Sequence, residues 1–142
     1  VDWQINQFGF FIRLNQLHWF IGKKSKLREK LKILVYKTIL KPIWTYGIQL
    51  WGTACTSHRR KIQRFQNRCL RIVSNAHPYH ENSAIHEELG IPWVDDEIYS
   101  HSVRYASRLE NHHNHLAVNL LDHSQSLRRL QRTHPLDLTQ HT

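Results

Sequence analysis

The apolar residues between positions 57 and 73 constrain the fold most, because they recur at the spacing of one helical face. No stretch of the chain alternates apolar and polar residues as a half-buried strand does, and no hairpin signal is present. Helical spacing recurs at about 2–20, 26–41 and 95–109, with shorter stretches at 83–89 and 116–121. We therefore predict an all-α fold, a helical bundle-like fragment of about four to six helices with a flexible C-terminal tail.

The second helical region, about 26–41, has an apolar face that we expect to face the core. Pro42 is expected to stop or kink this helix, because it lacks an N–H group and biases Lys41 away from helical angles. Further along the chain, Ser83 is expected to open a short helix and Gly90 to close it. The expected core-facing positions of the second region are Leu27, Leu31, Leu34, Val35, Thr38 and Ile39.

The positive charge of the chain is concentrated in its first half. The net charge is +9; residues 1–73 contain 15 basic and 2 acidic residues, whereas residues 74–142 contain 5 basic and 9 acidic residues. A concentrated basic half is typical of a surface that faces phosphates. The alternative is a solvated basic face with no ligand, and charge alone favours neither interpretation.

Two basic clusters are candidates for phosphate contact. Arginines at i, i+4, i+8 and i+11 of the third helical region form a continuous stripe without local acids, and their mutual repulsion would be relieved by a polyanion. Aromatic residues near the basic ones (Trp19, Phe20, Trp44, Tyr46 and Trp51) are candidates for base stacking, although core packing is their commoner role. The predicted nucleic-acid-binding residues are Arg60, Arg64, Arg68 and Arg71 in the stripe, with Lys23, Lys24, Lys26, Arg28 and Lys32 before it.

No catalytic group and no metal site is predicted. The pair Asp95-Asp96 superficially resembles the aspartate pair of polymerases, but it follows Pro92 and opens a helix, where acids complement the helix dipole. Glu87-Glu88 is interpreted as a solvated helix face, since adjacent helical residues point in different directions. The histidine-rich stretch 112–115 lacks the spacing of a zinc site.

Cysteine usage and hydropathy predict an intracellular protein. It has two widely spaced cysteines, Cys55 and Cys69, which we interpret as reduced, semi-buried thiols. The longest uncharged run, 42–58, is too short and too polar to span a bilayer, and no secretory leader is visible. We expect an intracellular protein, nuclear and/or cytoplasmic, without a membrane partner.

Five ordered strings resemble the polymerases of jockey-like non-LTR retrotransposons, over roughly residues 10 to 135. The longest is Lys-Ile-Leu-Val-Tyr-Lys-Thr-Ile-Leu-Lys-Pro-Ile-Trp-Thr-Tyr-Gly-Ile-Gln-Leu-Trp-Gly at 32–52. The others are Ile-Gln-Arg-Phe-Gln-Asn-Arg at 62–68 with Leu-Arg-Ile at 70–72, Asn-Ala at 75–76, Ile-His-Glu-Glu-Leu-Gly-Ile-Pro at 85–92 and Leu-Ala-Val-Asn-Leu-Leu at 116–121.

This resemblance implies a place within a reverse transcriptase, an RNA-directed DNA polymerase. The matching region is the thumb and its helical continuation, which grips the template–primer duplex after the polymerase core. The catalytic palm, with its divalent metal (Mg²⁺), and the endonuclease would lie upstream of Val1. The implied partners are the RNA/DNA template–primer and those upstream domains, with no cofactor and no catalytic residue in this chain.

The chain is thus expected to be a fragment, an expectation that the absence of Met supports. We predict a basic helical thumb-like segment (1–73), a helical connector (74–122) and a mobile tail (123–142). Two alternatives stay open: a helical protein-interaction module and an inert remnant of a mobile element. Enzymatic activity of the chain alone ranks last, because no catalytic constellation is present.

Overall fold

The structure, a computed structural model, describes residues 3–121 and 135–139. Every regular element in these ranges is helical and none is a strand, so the predicted all-α fold is confirmed. A π-helical turn, Tyr36–Leu40, joins α2 to α3, and 3₁₀ turns follow at Asn119–Leu121 and Pro135–Thr139. The α-helices are α1 (Trp3–Ile21), α2 (Glu29–Val35), α3 (Lys41–Thr45), α4 (Ile48–Trp51), α5 (Thr56–Ser74), α6 (Asn82–Leu89), α7 (Val94–Glu110) and α8 (His115–Val118).

The described chain forms two compact units. The first comprises the chain up to Tyr46 together with Arg60–Trp93, and the second comprises Gly47–Arg59 together with the chain from Val94 onwards. The predicted segments 1–73, 74–122 and 123–142 rest on charge and composition, and they stay a prediction that this division does not test. The predicted mobile tail lies outside the described residues, apart from Pro135–Thr139.

Large aliphatic and aromatic side chains form the core of the first unit. Burying one side chain of this size contributes about 1.5–3 kcal/mol, so this set holds the helices of the unit together. The buried apolar residues are Phe10, Leu14, Ile21, Tyr36, Leu40, Trp44, Ile62, Phe65, Cys69, Leu70, Val73, Ile85, Leu89 and Ile91.

The buried face of α2 and the π turn is not the one that the apolar spacing predicted. Leu31 and Leu34 are 46% and 54% exposed, whereas Tyr36, Leu40 and Trp44 are almost fully buried. The sequence carries two apolar stripes around this helix, and the stripe with the larger aromatic side chains takes the core. The wider π turn keeps residues spaced by four on one side of the helix.

The prediction that Pro42 biases Lys41 away from helical angles is wrong. Lys41 is helical (φ −60°, ψ −47°), and its N–H bonds to the carbonyl of Tyr36, five residues earlier. Pro42 lies in the first turn of α3, where its missing N–H costs little. The π turn therefore accommodates the proline without ending the helix.

Gly90 ends α6 as predicted. It is left-handed (φ 59°, ψ 39°), a conformation that strains residues with a side chain. The Gly90 N–H bonds to the Glu87 carbonyl at 3.2 Å, and the Ile91 N–H bonds to the His86 carbonyl at 3.0 Å. These two bonds satisfy the last carbonyls of the helix and direct the chain towards α7.

The second unit packs α4 and the 3₁₀ turn Pro135–Thr139 against α7. Close approach is possible at Gly52, where a Cβ atom would lie 3.0 Å from the Ile98 side chain and 3.4 Å from that of Leu138. Asp95 and Asp96 lie in the first turn of α7, as predicted. None of the described helices combines the length and hydropathy that a membrane span requires.

Candidate nucleic-acid interface

The exposed side of α5 carries Arg60, Arg64 and Arg68, hereafter the α5 basic face. The opposite side of the helix is buried through Phe65 and Cys69, so the amphipathic pattern separates the two faces as predicted. Residues four apart on a helix have Cβ atoms about 5–6 Å apart, so the three guanidinium groups repel one another. No ion pair within the described residues neutralises them.

Arg68 is held over an aromatic ring. Its guanidinium carbon lies 5.4 Å from the centroid of Phe11, and Phe11 in turn meets Phe65 edge to face at 6.0 Å. A cation over a ring face leaves its N–H edges available to a further ligand. The contact therefore restrains Arg68 without using its hydrogen-bond donors.

Arg71 has an internal role in addition to its place in the predicted stripe. Its Nη2 donates to the His80 carbonyl at 2.6 Å, its Nε to Asn82 Oδ1 at 2.9 Å and its Nη1 to the His77 carbonyl at 3.4 Å. These bonds tie the loop between α5 and α6 to the end of α5. The side chain is half-buried and most of its planar donor fork is occupied.

Lys32 is likewise used inside the first unit. It is 6% exposed, and its Nζ donates to the Gly22 carbonyl at 2.9 Å. The bond satisfies a carbonyl at the end of α1 and so fixes the start of the α1–α2 connection. The other basic residues of this connection, Lys23, Lys24, Lys26 and Arg28, are exposed.

An open groove brings the two basic clusters together. It is about 750 Å³ in volume and lies between the end of α1, the α1–α2 connection and the end of α5. Segments more than 40 residues apart in sequence thus form one positively charged concave surface. Its lining includes Asn15, Trp19, Lys23, Lys24, Arg68 and Asn75.

The five aromatic candidates for base stacking divide clearly. Trp44 is 1% exposed and belongs to the core, whereas Trp19 and Tyr46 are 73% and 88% exposed. Phe20 and Trp51 are partly buried. Of the five, Trp19 lies in the basic groove, which makes it the candidate for contact with a base.

A buried polar network, which sequence reasoning missed, holds α5 to its neighbours. Gln66 is fully buried and its Nε2 donates to the Pro92 carbonyl at 2.9 Å and to the Tyr36 hydroxyl at 3.2 Å. Gln63 Nε2 donates to Gln66 Oε1 at 2.8 Å. The sequence contains one indication of this network: Gln66 follows Phe65 on the core-facing side of the helix, where an unpaired polar group is costly.

His86 extends this network to α6. Its Nδ1–H donates to the Ile91 carbonyl at 2.7 Å, and its Nε2 lies 3.0 Å from Asn67 Oδ1. Trp93 stacks on the imidazole with a centroid distance of 4.1 Å. Polar side chains in the two segments 62–68 and 85–92 therefore bond to each other and position α5.

The described residues show no arrangement suited to metal chemistry. No group of three or more His, Cys, Asp or Glu side chains in the described part of the chain is placed to hold a metal ion. Asp95 accepts a hydrogen bond from Arg59 Nη1 at 3.0 Å. The histidines at 112, 113 and 115 are exposed.

The two thiols are free and differ in environment. Burial raises the pKa of the Cys69 thiol to about 12. Cys55 is exposed, and hydrogen bonds from the Ser57 hydroxyl and the His58 backbone lower its pKa. The expectation of two semi-buried thiols is therefore replaced by one exposed and one buried thiol.

The chain is similar in sequence to RNA-directed DNA polymerases from Drosophila transposons. It is 43% identical, over 85% of its length, to the probable RNA-directed DNA polymerase from transposon X-element of Drosophila melanogaster. It is 39% identical over 84% of its length to the probable RNA-directed DNA polymerase from transposon BS of the same species. It is 34% identical over 93% of its length to the RNA-directed DNA polymerase from mobile element jockey, also of Drosophila melanogaster. Over most of its length the chain is homologous to these transposon RNA-directed DNA polymerases.

The resemblance inferred from the ordered strings is thereby confirmed. The chain spans 13% to 15% of the length of these jockey-like relatives. No family model matches it, and no solved structure matches it significantly. The similarity therefore relates the chain to a short stretch of these polymerases.

Proposed function

We propose that the chain holds nucleic acid for a transposon RNA-directed DNA polymerase, as the thumb-like part that follows the polymerase core. The observation that carries this proposal is the α5 basic face, on which Arg60, Arg64 and Arg68 are exposed and lack acidic partners among the described residues. The exposed residues of the α1–α2 connection extend the same positive surface.

The dimensions of this face suit a phosphate backbone. Eight residues of α-helix span about 12 Å. One strand of duplex carries a phosphate about every 3.4 Å along the axis, so the face covers roughly three phosphates. Guanidinium groups bind phosphate oxygens in a bidentate manner, which favours arginine here over lysine.

Bound phosphates would also relieve the repulsion along α5. Like charges four residues apart destabilise a helix by about 0.2–0.5 kcal/mol per pair. Contacts of this kind position a duplex without reading its bases, so the proposed binding is independent of sequence. The substrate proposed is the RNA–DNA template–primer of the polymerase, whose chemistry and Mg²⁺ would be supplied by other parts of such an enzyme. A nuclear and/or cytoplasmic location follows from this role.

Equilibrium binding to a labelled RNA–DNA hybrid across a salt series tests the proposal. Neutralising each phosphate changes the logarithm of the binding constant by about 0.9 per tenfold change in salt. Wild-type chain should bind at micromolar concentration or tighter and show a slope of about three or more. A folded chain that does not bind, or binds with no salt dependence, would overturn the proposal.

A second candidate function is protein interaction, which one observation favours. Leu31, Leu34 and Ile39 form an apolar side of α2 and the π turn that is 44% to 54% exposed. Exposed apolar patches mark contact sites. Concentration-dependent self-association of a chain that fails to bind the hybrid would favour this function.

A further inference from the structure

The groove beside the α5 basic face combines cations with an exposed indole. We propose that it binds an unpaired nucleotide of a single strand, with the base stacked on Trp19 and the flanking phosphates on Lys23, Lys24 and Arg68. This inference rests on the proposed function and deepens it, since it adds a site for a single-stranded nucleotide beside the duplex site on α5, with Arg68 at the border of the two.

Trp19 is the first observation behind the inference. A tryptophan is usually largely buried, yet this one is 73% exposed and lies in the groove. Phe20 meets it at 5.2 Å in an edge-to-face contact, which restrains the indole while leaving most of its surface accessible. Aromatic side chains placed in this way stack on bases of any sequence.

The position of the cations is the second observation. Lys23 and Lys24 line the groove from the α1–α2 connection, and Arg68 lines it from α5, so positive charge lies on both sides. A nucleotide strand carries a phosphate on each side of every base. The side-chain amides of Asn15 and Asn75, which also line the groove, offer donors and acceptors to a base edge.

The choice of a single strand follows from accessibility. In a duplex both faces of a base are covered by its neighbours, so an aromatic side chain stacks fully only on an unpaired base. A groove of about 750 Å³ lies within the size range of small-ligand sites and is much too small for a duplex.

Internal hydrogen bonds hold both walls of the groove in place. Lys32 fixes the Gly22 carbonyl at one wall, and Arg71 binds the loop that follows α5 at the other. Asn75, at the end of α5, is left-handed (φ 52°). Lys32 and Arg71 are therefore positioning residues for this site.

The test compares two labelled probes, a short oligouridylate and an RNA–DNA hybrid, by fluorescence anisotropy with the full chain. Trp19→Ala should weaken binding of the single strand by about tenfold, the order that one base–aromatic stack contributes, and leave hybrid binding unchanged. Trp19→Phe should retain most of the affinity. Tyr46→Ala, which removes an aromatic residue that is more exposed but lies away from the groove, should have no effect.

An abasic single strand completes the experiment. Wild-type chain should lose about the same factor on it as Trp19→Ala loses on the normal strand, and the variant should bind both strands alike. Equal affinity of wild type and Trp19→Ala for the single strand, with hybrid binding intact, overturns this inference and spares the proposed function. Failure of folded wild-type chain to bind either probe overturns both.

Discussion

Gln66 provides the sharpest test of how the first unit is held together. Gln66→Leu keeps the side chain close in size but removes the donor to the Pro92 carbonyl and the Tyr36 hydroxyl, and the acceptor for Gln63. A buried polar group that loses its partner costs about 1–3 kcal/mol. Tyr36 and Gln63 keep other partners, so the main loss is at the Pro92 carbonyl, and Gln66→Leu should lower the free energy of unfolding by about 1–3 kcal/mol. Urea unfolding followed by far-UV circular dichroism measures it.

Two comparisons separate this cost from unspecific damage. Gln16→Leu changes an exposed glutamine of α1 and should alter the free energy of unfolding by less than about 0.5 kcal/mol. Tyr36→Phe should cost less in the Gln66→Leu background than in wild type, by about 0.5–1.5 kcal/mol, because the two side chains share a bond. If Gln66→Leu unfolds at the same urea concentration as Gln16→Leu, the network does not stabilise the fold.

Three further predictions follow from individual contacts. Arg71→Ala should destabilise the first unit by about 2 kcal/mol and speed proteolysis of the loop after α5. Arg71→Lys should not restore the stability, because lysine lacks the planar fork that bonds His80 and Asn82. Equal proteolysis rates of the wild-type chain and Arg71→Ala would contradict this prediction. Gly90→Ala should lower the free energy of unfolding by about 1 kcal/mol, measured by urea unfolding, because alanine is strained at φ 59°; an unchanged midpoint would refute it. A thiol reagent at pH 8 should label Cys55 alone in the native chain and both cysteines in denaturant. In the native chain Cys69 is buried and its pKa is raised to about 12, so its thiol stays protonated at pH 8. Labelling of both cysteines in the native chain would refute this prediction.

The sequence predicts the helices with one strong apolar stripe and fails where two stripes compete. The third helical region, predicted at 57–73, is observed as Thr56–Ser74, because its apolar and arginine faces are sharply separated. Gly90 was predictable for a local reason, its freedom at positive φ. The buried face of α2 was not, because tertiary packing of Tyr36 and Trp44 decided between two apolar sides.

The candidate site shows the same division. Helical spacing suffices to place Arg60, Arg64 and Arg68 on one exposed face. It does not reveal that Lys32 bonds the Gly22 carbonyl, since that bond depends on where α1 ends in space. The groove depends in the same way on the meeting of the end of α1 with the end of α5.

The central claim is that α5 contacts phosphates, and the salt dependence of matched double variants tests it most directly. Arg64→Ala/Arg68→Ala should reduce the salt slope of RNA–DNA hybrid binding by up to about two units. Arg104→Ala/Arg108→Ala removes the same charge, at the same spacing, from the exposed side of α7 and should leave the slope unchanged. If both pairs reduce the slope equally, binding reflects net charge alone; if the α5 pair has no effect, α5 does not contact the phosphates. Either result would contradict the account.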